Sequence, residues 1–249
     1  MPNSIETRAL AKKYGDRFAL EGLDLSVAEG EFFCFLGPNG AGKTTTIKIL
    51  TGLVRPTSGS ARVGGFDVAR EPLLAKALMG YVPDHPHLYD KLTGREMLRF
   101  VAGLYRLPAP LFATLSAELL DIFELSHKAD QLIESYSHGM RQKLSFACCF
   151  LHQPRVVVVD EPWVGLDPKN IRAVKDYLKQ KTREGLTVFM STHTLSIAEE
   201  VADRVGIIHR GRLRQVGTVA EIKALAQRPG SLEEVFLELT REEQEEAAG

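Results

Sequence analysis

The stretch Gly37-Pro38-Asn39-Gly40-Ala41-Gly42-Lys43-Thr44 decides the fold of this chain. Its spacing fits G-x-x-x-x-G-K-[ST], the pattern of a loop that binds nucleotide phosphates. The apolar run at residues 32–36 before the loop predicts a buried strand, and residues 45–53 after it predict a helix. A loop in this position turns its backbone N–H groups toward one point, where the helix dipole adds positive charge. We expect Lys43 to reach the β- and γ-phosphates and Thr44 to hold Mg²⁺.

Composition and charge narrow the function classes. The chain has 249 residues and a net charge of −1, without the basic excess that nucleic-acid binding favours. Its three cysteines, Cys34, Cys148 and Cys149, show no C-x-x-C spacing and are expected to be buried, reduced thiols of a cytosolic protein. The polar start of the chain lacks the apolar core of a signal peptide, and no apolar run approaches the roughly 20 residues of a membrane span. If the protein works at a membrane, we expect another chain to cross it.

The periodicity of apolar residues predicts one domain over residues 1–249 with an inserted helical part. Residues 4–30 alternate like antiparallel strands, and residues 84–150 follow a helical period. The helical faces predicted there are Met97, Phe100, Val101 and Leu104, and Leu115, Leu119, Ile122 and Phe123. We therefore assign residues 1–83 and 151–216 to an α/β core with a mixed sheet and an antiparallel β subdomain. Residues 84–150 form a helical subdomain, and residues 217–249 form C-terminal helices and an acidic, solvated tail.

A second strongly apolar strand ends in two carboxylates. Residues 156–159 are four valines, followed by Asp160 and Glu161. An acidic residue at the end of a buried strand lies at the sheet edge where open α/β folds bind ligands. We expect Asp160 to take part in Mg²⁺ coordination and Glu161 to act as general base for the water that attacks the γ-phosphate.

A third motif links these elements to one family. Residues 136–143, Tyr-Ser-His-Gly-Met-Arg-Gln-Lys, come shortly before the valine strand and resemble the signature sequence of ATP-binding cassette (ABC) ATPases, commonly L-S-G-G-Q. The order of motifs also resembles that family: residues 37–44 as Walker A, then the signature, then Walker B at residues 156–161. Gly165-Leu166-Asp167 resembles the D-loop, and His193 resembles the switch histidine.

The resemblance implies ATP and Mg²⁺ as cofactors and a set of site residues. Glu161, His193 and Lys43 would be catalytic, and Thr44, Asp84 and Asp160 would hold the metal. Tyr14 would stack on adenine. The residues that the resemblance assigns to ATP binding are Tyr14, Gly37, Asn39, Gly40, Ala41, Gly42, Lys43, Thr44, Thr45, Ser137, Gly139 and Met140.

The family also implies a partner for each site. Two cassettes close head to tail, so that Ser137 and Gly139 of one offer a hydroxyl and backbone N–H groups to the γ-phosphate held by the other. A homodimer is favoured over a heterodimer. The sequence departs from the family at the Q-loop, where Asp84 replaces Gln, and in the signature, where His138 and Met140 replace Gly and Gln. Trp163 stands where the D-loop has a small residue. These departures bear on the rate and coupling of hydrolysis.

Residues 88–93, Glu96 and residues 231–239 are similar to the branch called ABC-2 type exporters, whose cassette is a separate chain. This implies a separate integral membrane permease, gripped by the helical subdomain and the Asp84 loop at the cytoplasmic face of the membrane. Two alternatives stay open at this point. One is a soluble ABC ATPase of translation or DNA repair, and the other is a nucleotide-dependent regulatory partner of a membrane protein with little turnover.

Overall fold

A computed structural model describes residues 3–163, 166–225 and 232–241. Its central sheet has six strands in the order β10-β9-β3-β8-β7-β6 within these residues. The strands are β3 (Phe32–Leu36), β6 (Met79–Val82), β7 (Val156–Asp160), β8 (Thr187–Thr192), β9 (Arg204–His209) and β10 (Arg212–Thr218). All are parallel to their neighbours except β10, which forms an antiparallel hairpin with β9. Every residue of β3, β7 and β8 is buried, as expected for parallel strands covered on both faces.

A second sheet confirms the predicted antiparallel β subdomain. Its order is β2-β1-β4-β5, with β1 (Asn3–Tyr14), β2 (Arg17–Ala28), β4 (Ser58–Val63) and β5 (Phe66–Asp67). In β2, Leu23, Leu25 and Val27 are buried, as their alternation predicted. These side chains pack on one face of the central sheet, where Phe33 and Phe189 stack at 5.7 Å between ring centroids.

Three helices, α3 (Gly94–Leu104), α4 (Ala109–Ile122) and α5 (His138–Phe150), occupy the predicted helical range. Thr93 and Glu96 form a capping box that starts α3. Of the residues on the predicted face of α3, Met97 and Val101 are buried, whereas Phe100 and Leu104 are 42% and 67% exposed. The apolar stripe of α3 is wider than its contact with the core, and its outer edge borders an open groove. The division of the chain at residues 84 and 150 stays a prediction.

The remaining helices pack against the two faces and one end of the central sheet. They are α1 (Lys43–Leu50), α2 (Pro72–Ala77), α6 (Pro168–Arg183), α7 (Leu195–Val201), α8 (Val219–Lys223) and α9 (Leu232–Arg241). Asp167 caps α6, because its Oδ1 accepts the N–H of Asn170 at 2.8 Å. Helix α1 begins two residues before the predicted start, inside the phosphate loop. The acidic tail beyond residue 241 lies outside the described residues.

Two further expectations can be compared with the structure. Cys34 and Cys149 are buried free thiols, but Cys148 is partly exposed because it faces the open groove beside α3. Among the described residues, no helix combines the length and apolar character that crossing a bilayer requires.

Strands β3, β7 and β8 are parallel, so their carboxyl ends meet at one sheet edge. The three segments that follow these strands carry the phosphate loop, Glu161 and His193.

Candidate functional site at the phosphate loop

The phosphate loop lies closely against two neighbouring strands. A Cβ atom on Gly42 would come within 2.8 Å of the carbonyl oxygen of Ala19, and the φ of Gly42 is +115°. A Cβ atom on Gly37 would come within 2.5 Å of the carbonyl oxygen of Ile208. Both positions therefore need glycine. Gly37 is required by the close approach alone, and Gly42 is required also by its left-handed backbone.

Lys43 is the first residue of α1, and its ammonium is folded back over the loop. It donates hydrogen bonds to the carbonyl oxygens of Gly37 at 2.6 Å and Pro38 at 3.3 Å. Its side chain is 7% exposed and lies 3.6 Å from Oε1 of Glu161. A buried cation held by two carbonyls and one carboxylate is well placed to turn toward an anionic phosphate.

Glu161 follows β7 and contacts residues from the segments that follow β3 and β8. Its backbone has a φ of +44°, which is uncommon for a residue with a side chain, and its N–H donates to the carbonyl oxygen of Ser191 at 3.2 Å. While Oε1 faces Lys43, Oε2 lies 2.8 Å from Nδ1 of His193. The carboxylate is 17% exposed and the His193 ring is 62% exposed. The contact of Glu161 with His193 is thus on the solvent side of the carboxylate.

Asp160 is buried beneath the same site. The hydroxyl of Ser191 donates to its Oδ1 at 2.5 Å. Burial raises the pKa of Asp160, and the nearby charges of Asp84 and Glu161 add to the rise, while hydrogen bonds from Ser191 and Thr44 oppose it. A buried carboxylate near two other carboxylates favours the approach of a cation.

The donor set fits magnesium bound jointly with a nucleotide. Within the described residues, His, Cys, Asp and Glu side chains form no group of three or more that could hold a metal. Magnesium keeps several waters and uses one or two carboxylates together with phosphate oxygens, so such a cage is not needed. Thr44 and Asp84 line the cavity above Asp160, and these three are the residues predicted for the metal.

A cavity of about 260 Å³ contains most of the predicted site. Its lining includes these predicted residues: Asn39, Gly40, Gly42, Lys43, Thr44, Thr45, Asp84 and Glu161. Ala41 is buried behind it and donates its N–H to the carbonyl oxygen of Pro38 at 3.2 Å. Tyr14 is half exposed and lies outside this lining, so its contact with adenine stays a prediction.

Two site residues were missed by sequence reasoning. Ala19 of β2 lines the cavity, and Ser191 of β8 holds Asp160. The position of Ser191 directly before Thr192 and His193 was a usable signal for the serine. Ala19 carries no local signal, because it reaches the loop only through the packing of the second sheet on the first.

The signature residues occupy the start of α5. Ser137 is its N-cap, and its Oγ accepts the N–H of Met140 at 3.3 Å. Arg141 pairs with Asp90 at 2.6 Å, which fixes the beginning of the helix to the segment before α3. Ser137, Gly139 and Met140 are absent from the described lining of the phosphate cavity. One chain therefore keeps its signature apart from its own phosphate loop.

The fold and the site together define a phosphate-loop nucleoside triphosphatase. The loop, the buried Asp160 and the adjacent Glu161 lie at the carboxyl edge of a mainly parallel sheet, as this class requires. The model of the ABC transporter family matches residues 20–164, more than half of the chain. The chain belongs to the ABC transporter family, and it is an ATPase whose nucleotide is ATP.

Named relatives and a solved structure agree. The chain is 39% identical over 213 residues to the daunorubicin resistance ATP-binding protein DrrA3 of Streptomyces coeruleorubidus, which covers 86% of this chain and 67% of that protein. It is 36% identical over 217 residues to the bacitracin transport ATP-binding protein BcrA of Bacillus licheniformis, covering 86% and 69%. The solved structure of an ATP-binding subunit of an ABC transporter superposes with a TM-score of 0.89 at 34% identity, covering 94% of this chain and 98% of that one. The predicted recognition as an ABC ATP-binding subunit is confirmed, and the relatives' names agree with the exporter branch.

Proposed function

We propose that this chain is the ATP-hydrolysing subunit of an exporter whose membrane permease is a separate protein. The observation that carries the proposal is the placement of Glu161 between the ammonium of Lys43 and the ring of His193. The named resistance and transport relatives support an exporter of drug-like molecules.

Each residue then has a chemical task. Lys43 leaves its loop carbonyls for the β- and γ-phosphates, and Glu161 accepts a proton from the attacking water while His193 orients its carboxylate. Thr44, Asp160 and Asp84 would hold Mg²⁺, directly or through water, and the ion would neutralise charge on the phosphates. Positioned charges at a site with a buried Lys43 are expected to supply most of the catalysis.

The second half of each site comes from a second copy of the chain. Ser137 at the start of α5 presents a hydroxyl and a helix N-terminus, which together bind phosphate well. Because Ser137 lies outside the chain's own phosphate cavity, a head-to-tail homodimer completes two sites at once. ATP then holds the two copies together, and its hydrolysis releases them.

The permease would dock in a groove beside α3. This cavity of about 430 Å³ lies between α3, α5 and β6 and is mainly apolar, with Met97, Leu104 and Tyr105 among its walls. Pro83 also lines it, and the next residue, Asp84, lines the phosphate cavity, so one short segment connects the two cavities. A short amphipathic helix of the permease fits such a groove, which places the chain at the cytoplasmic face of the membrane.

The test is to co-express the chain with a candidate permease, purify the complex and measure ATP turnover in lipid. We expect Glu161→Gln to abolish turnover while ATP binding survives, because glutamine keeps the shape of the side chain and loses its basicity. Glu29→Gln, in an exposed turn before β3, serves as the matched control and should keep full turnover. Unchanged turnover in Glu161→Gln contradicts the assignment of the base, and failure of any permease to copurify contradicts the transport role.

A further inference from the structure

The surface next to the groove combines exposed leucines with basic side chains. We call Leu53, Arg55, Leu73, Leu74 and Lys76 the basic–leucine patch. The three leucines are 60%, 82% and 51% exposed, and two of them lie on the short helix α2. A single exposed leucine is ordinary, but three in one patch beside two cations form an amphipathic surface.

The two cations of the patch share one small cavity. Arg55 and Lys76 line a space of about 240 Å³ whose other described lining residues are glycine, valine, alanine and proline. Lys76 lies across Gly52, where a Cβ atom would come within 3.2 Å of its Cε. Within the described part of the chain, neither cation forms an ion pair.

Two acidic side chains of the turn before α2 accept backbone N–H groups. Asp67 accepts the backbone N–H groups of Ala69 and Arg70 through Oδ1, and Glu71 accepts the N–H of Asp67. These carboxylates are used to form the turn before α2. The cavity therefore presents two cations that have no ion-pair partner among the described residues, and this arrangement suits a phosphate group.

We propose that the basic–leucine patch binds the headgroup phosphate of an anionic phospholipid. The phosphate sits between Arg55 and Lys76, and the leucines of α2 enter the boundary between headgroups and acyl chains. Lys76 and Leu53 also line the groove described above, so the patch and the groove face the same side. The proposal rests on the proposed function in that respect, because that side must face a bilayer.

Exposed leucines on a convex helix favour a lipid surface over a protein partner as the occupant of the patch. A protein helix fits a concave apolar groove, whereas Leu73 at 82% exposure projects from the surface. A patch that serves a protein partner does not need affinity for lipid, so a lack of binding to protein-free anionic vesicles would favour the permease as its occupant.

The experiment measures flotation of the full chain with vesicles that contain no protein. One set consists of phosphatidylcholine alone, and the other contains equal parts of phosphatidylcholine and phosphatidylglycerol. We expect binding to the anionic set only, weakened by added salt. Arg55→Ala with Lys76→Ala should weaken binding roughly 30-fold, about fivefold for each cation. Leu73→Ser with Leu74→Ser should also weaken it.

The control is Arg172→Ala with Arg183→Ala, two exposed cations on α6, which should bind like the unmodified chain. Thermal unfolding midpoints check that every variant folds. The proposal is overturned if the unmodified chain does not float with anionic vesicles, if it binds both sets equally, or if the Arg55 and Lys76 double variant binds as well as the control. Copurification with the permease is scored separately, so failure here leaves the transport role standing.

Discussion

His193→Ala removes the side-chain contact to Glu161, the carboxylate that we propose as the catalytic base. In the native chain, Nδ1 of His193 lies 2.8 Å from Oε2 of Glu161, while Lys43 faces the other oxygen at 3.6 Å. The backbone N–H of His193 also points at Oε2 from 3.4 Å and survives the substitution. Because the ring is 62% exposed, its loss should leave the fold intact.

The expected magnitude follows from the charge of the acceptor. A hydrogen bond to a charged group contributes about 1.5–3 kcal/mol, which corresponds to roughly 10- to 150-fold in rate. Since water can replace part of an exposed contact, we expect a fall in kcat near the lower bound, roughly tenfold. ATP affinity should stay unchanged, because the phosphate loop does not use His193.

The assay is phosphate release at saturating ATP, together with direct ATP binding. His127→Ala is the matched control, since His127 is an exposed histidine in the turn after α4. The reasoning is refuted if His193→Ala keeps full kcat, or if ATP affinity falls in parallel with kcat.

Three further predictions concern stability and reactivity. Because burial raises the pKa of Asp160, the folded chain binds its proton more tightly than the unfolded chain, and stability falls as pH rises from the ordinary carboxyl range through the raised pKa. Asp160→Asn should remove this fall in stability. At neutral pH it should stabilise the chain by about 1.4 kcal/mol for each tenfold difference in proton affinity between the folded and unfolded states of the native chain. If urea unfolding of the variant shows the same dependence on pH as the native chain, the prediction is contradicted. Gly42→Ala should lower the free energy of unfolding by about 1–3 kcal/mol and abolish ATP binding. Gly15 has a φ of +56° and open space around it, so Gly15→Ala should lower the free energy of unfolding by about 1–2 kcal/mol and retain ATP binding. An equal loss of ATP binding in the two variants would contradict this prediction. Burial raises the pKa of Cys34, which lies fully buried in β3, so iodoacetamide should modify the native thiol slowly at neutral pH and the unfolded one quickly, and fast native labelling would refute the inference.

The sequence predicted those elements that depend on residues close together in the chain. The phosphate loop, the buried runs of β3 and β7 and the cap at Asp167 were all readable, because each depends on residues a few positions apart. Pairings between strands that are far apart in the chain could not be predicted in this way. Strand β3 lies between β8 and β9, more than 150 residues later in the chain, and no local pattern specifies that choice.

The exposure of individual side chains could not be predicted from the neighbouring residues in the sequence either. Phe100 and Leu104 share a helical period with Met97 and Val101, yet both are exposed. Periodicity reports which residues lie on one side of a helix, and it does not report how far the neighbouring elements extend over that side. For the same reason Cys148, partly exposed at the groove, was expected to be buried.

The most direct test of the account is the mass of the Glu161→Gln chain in solution, measured by light scattering with saturating nucleotide and magnesium. We propose that ATP bridges the phosphate loop of one copy and Ser137 of another, and we therefore predict a dimer with ATP and a monomer with ADP. A chain that binds ATP and remains a monomer would contradict the central claim.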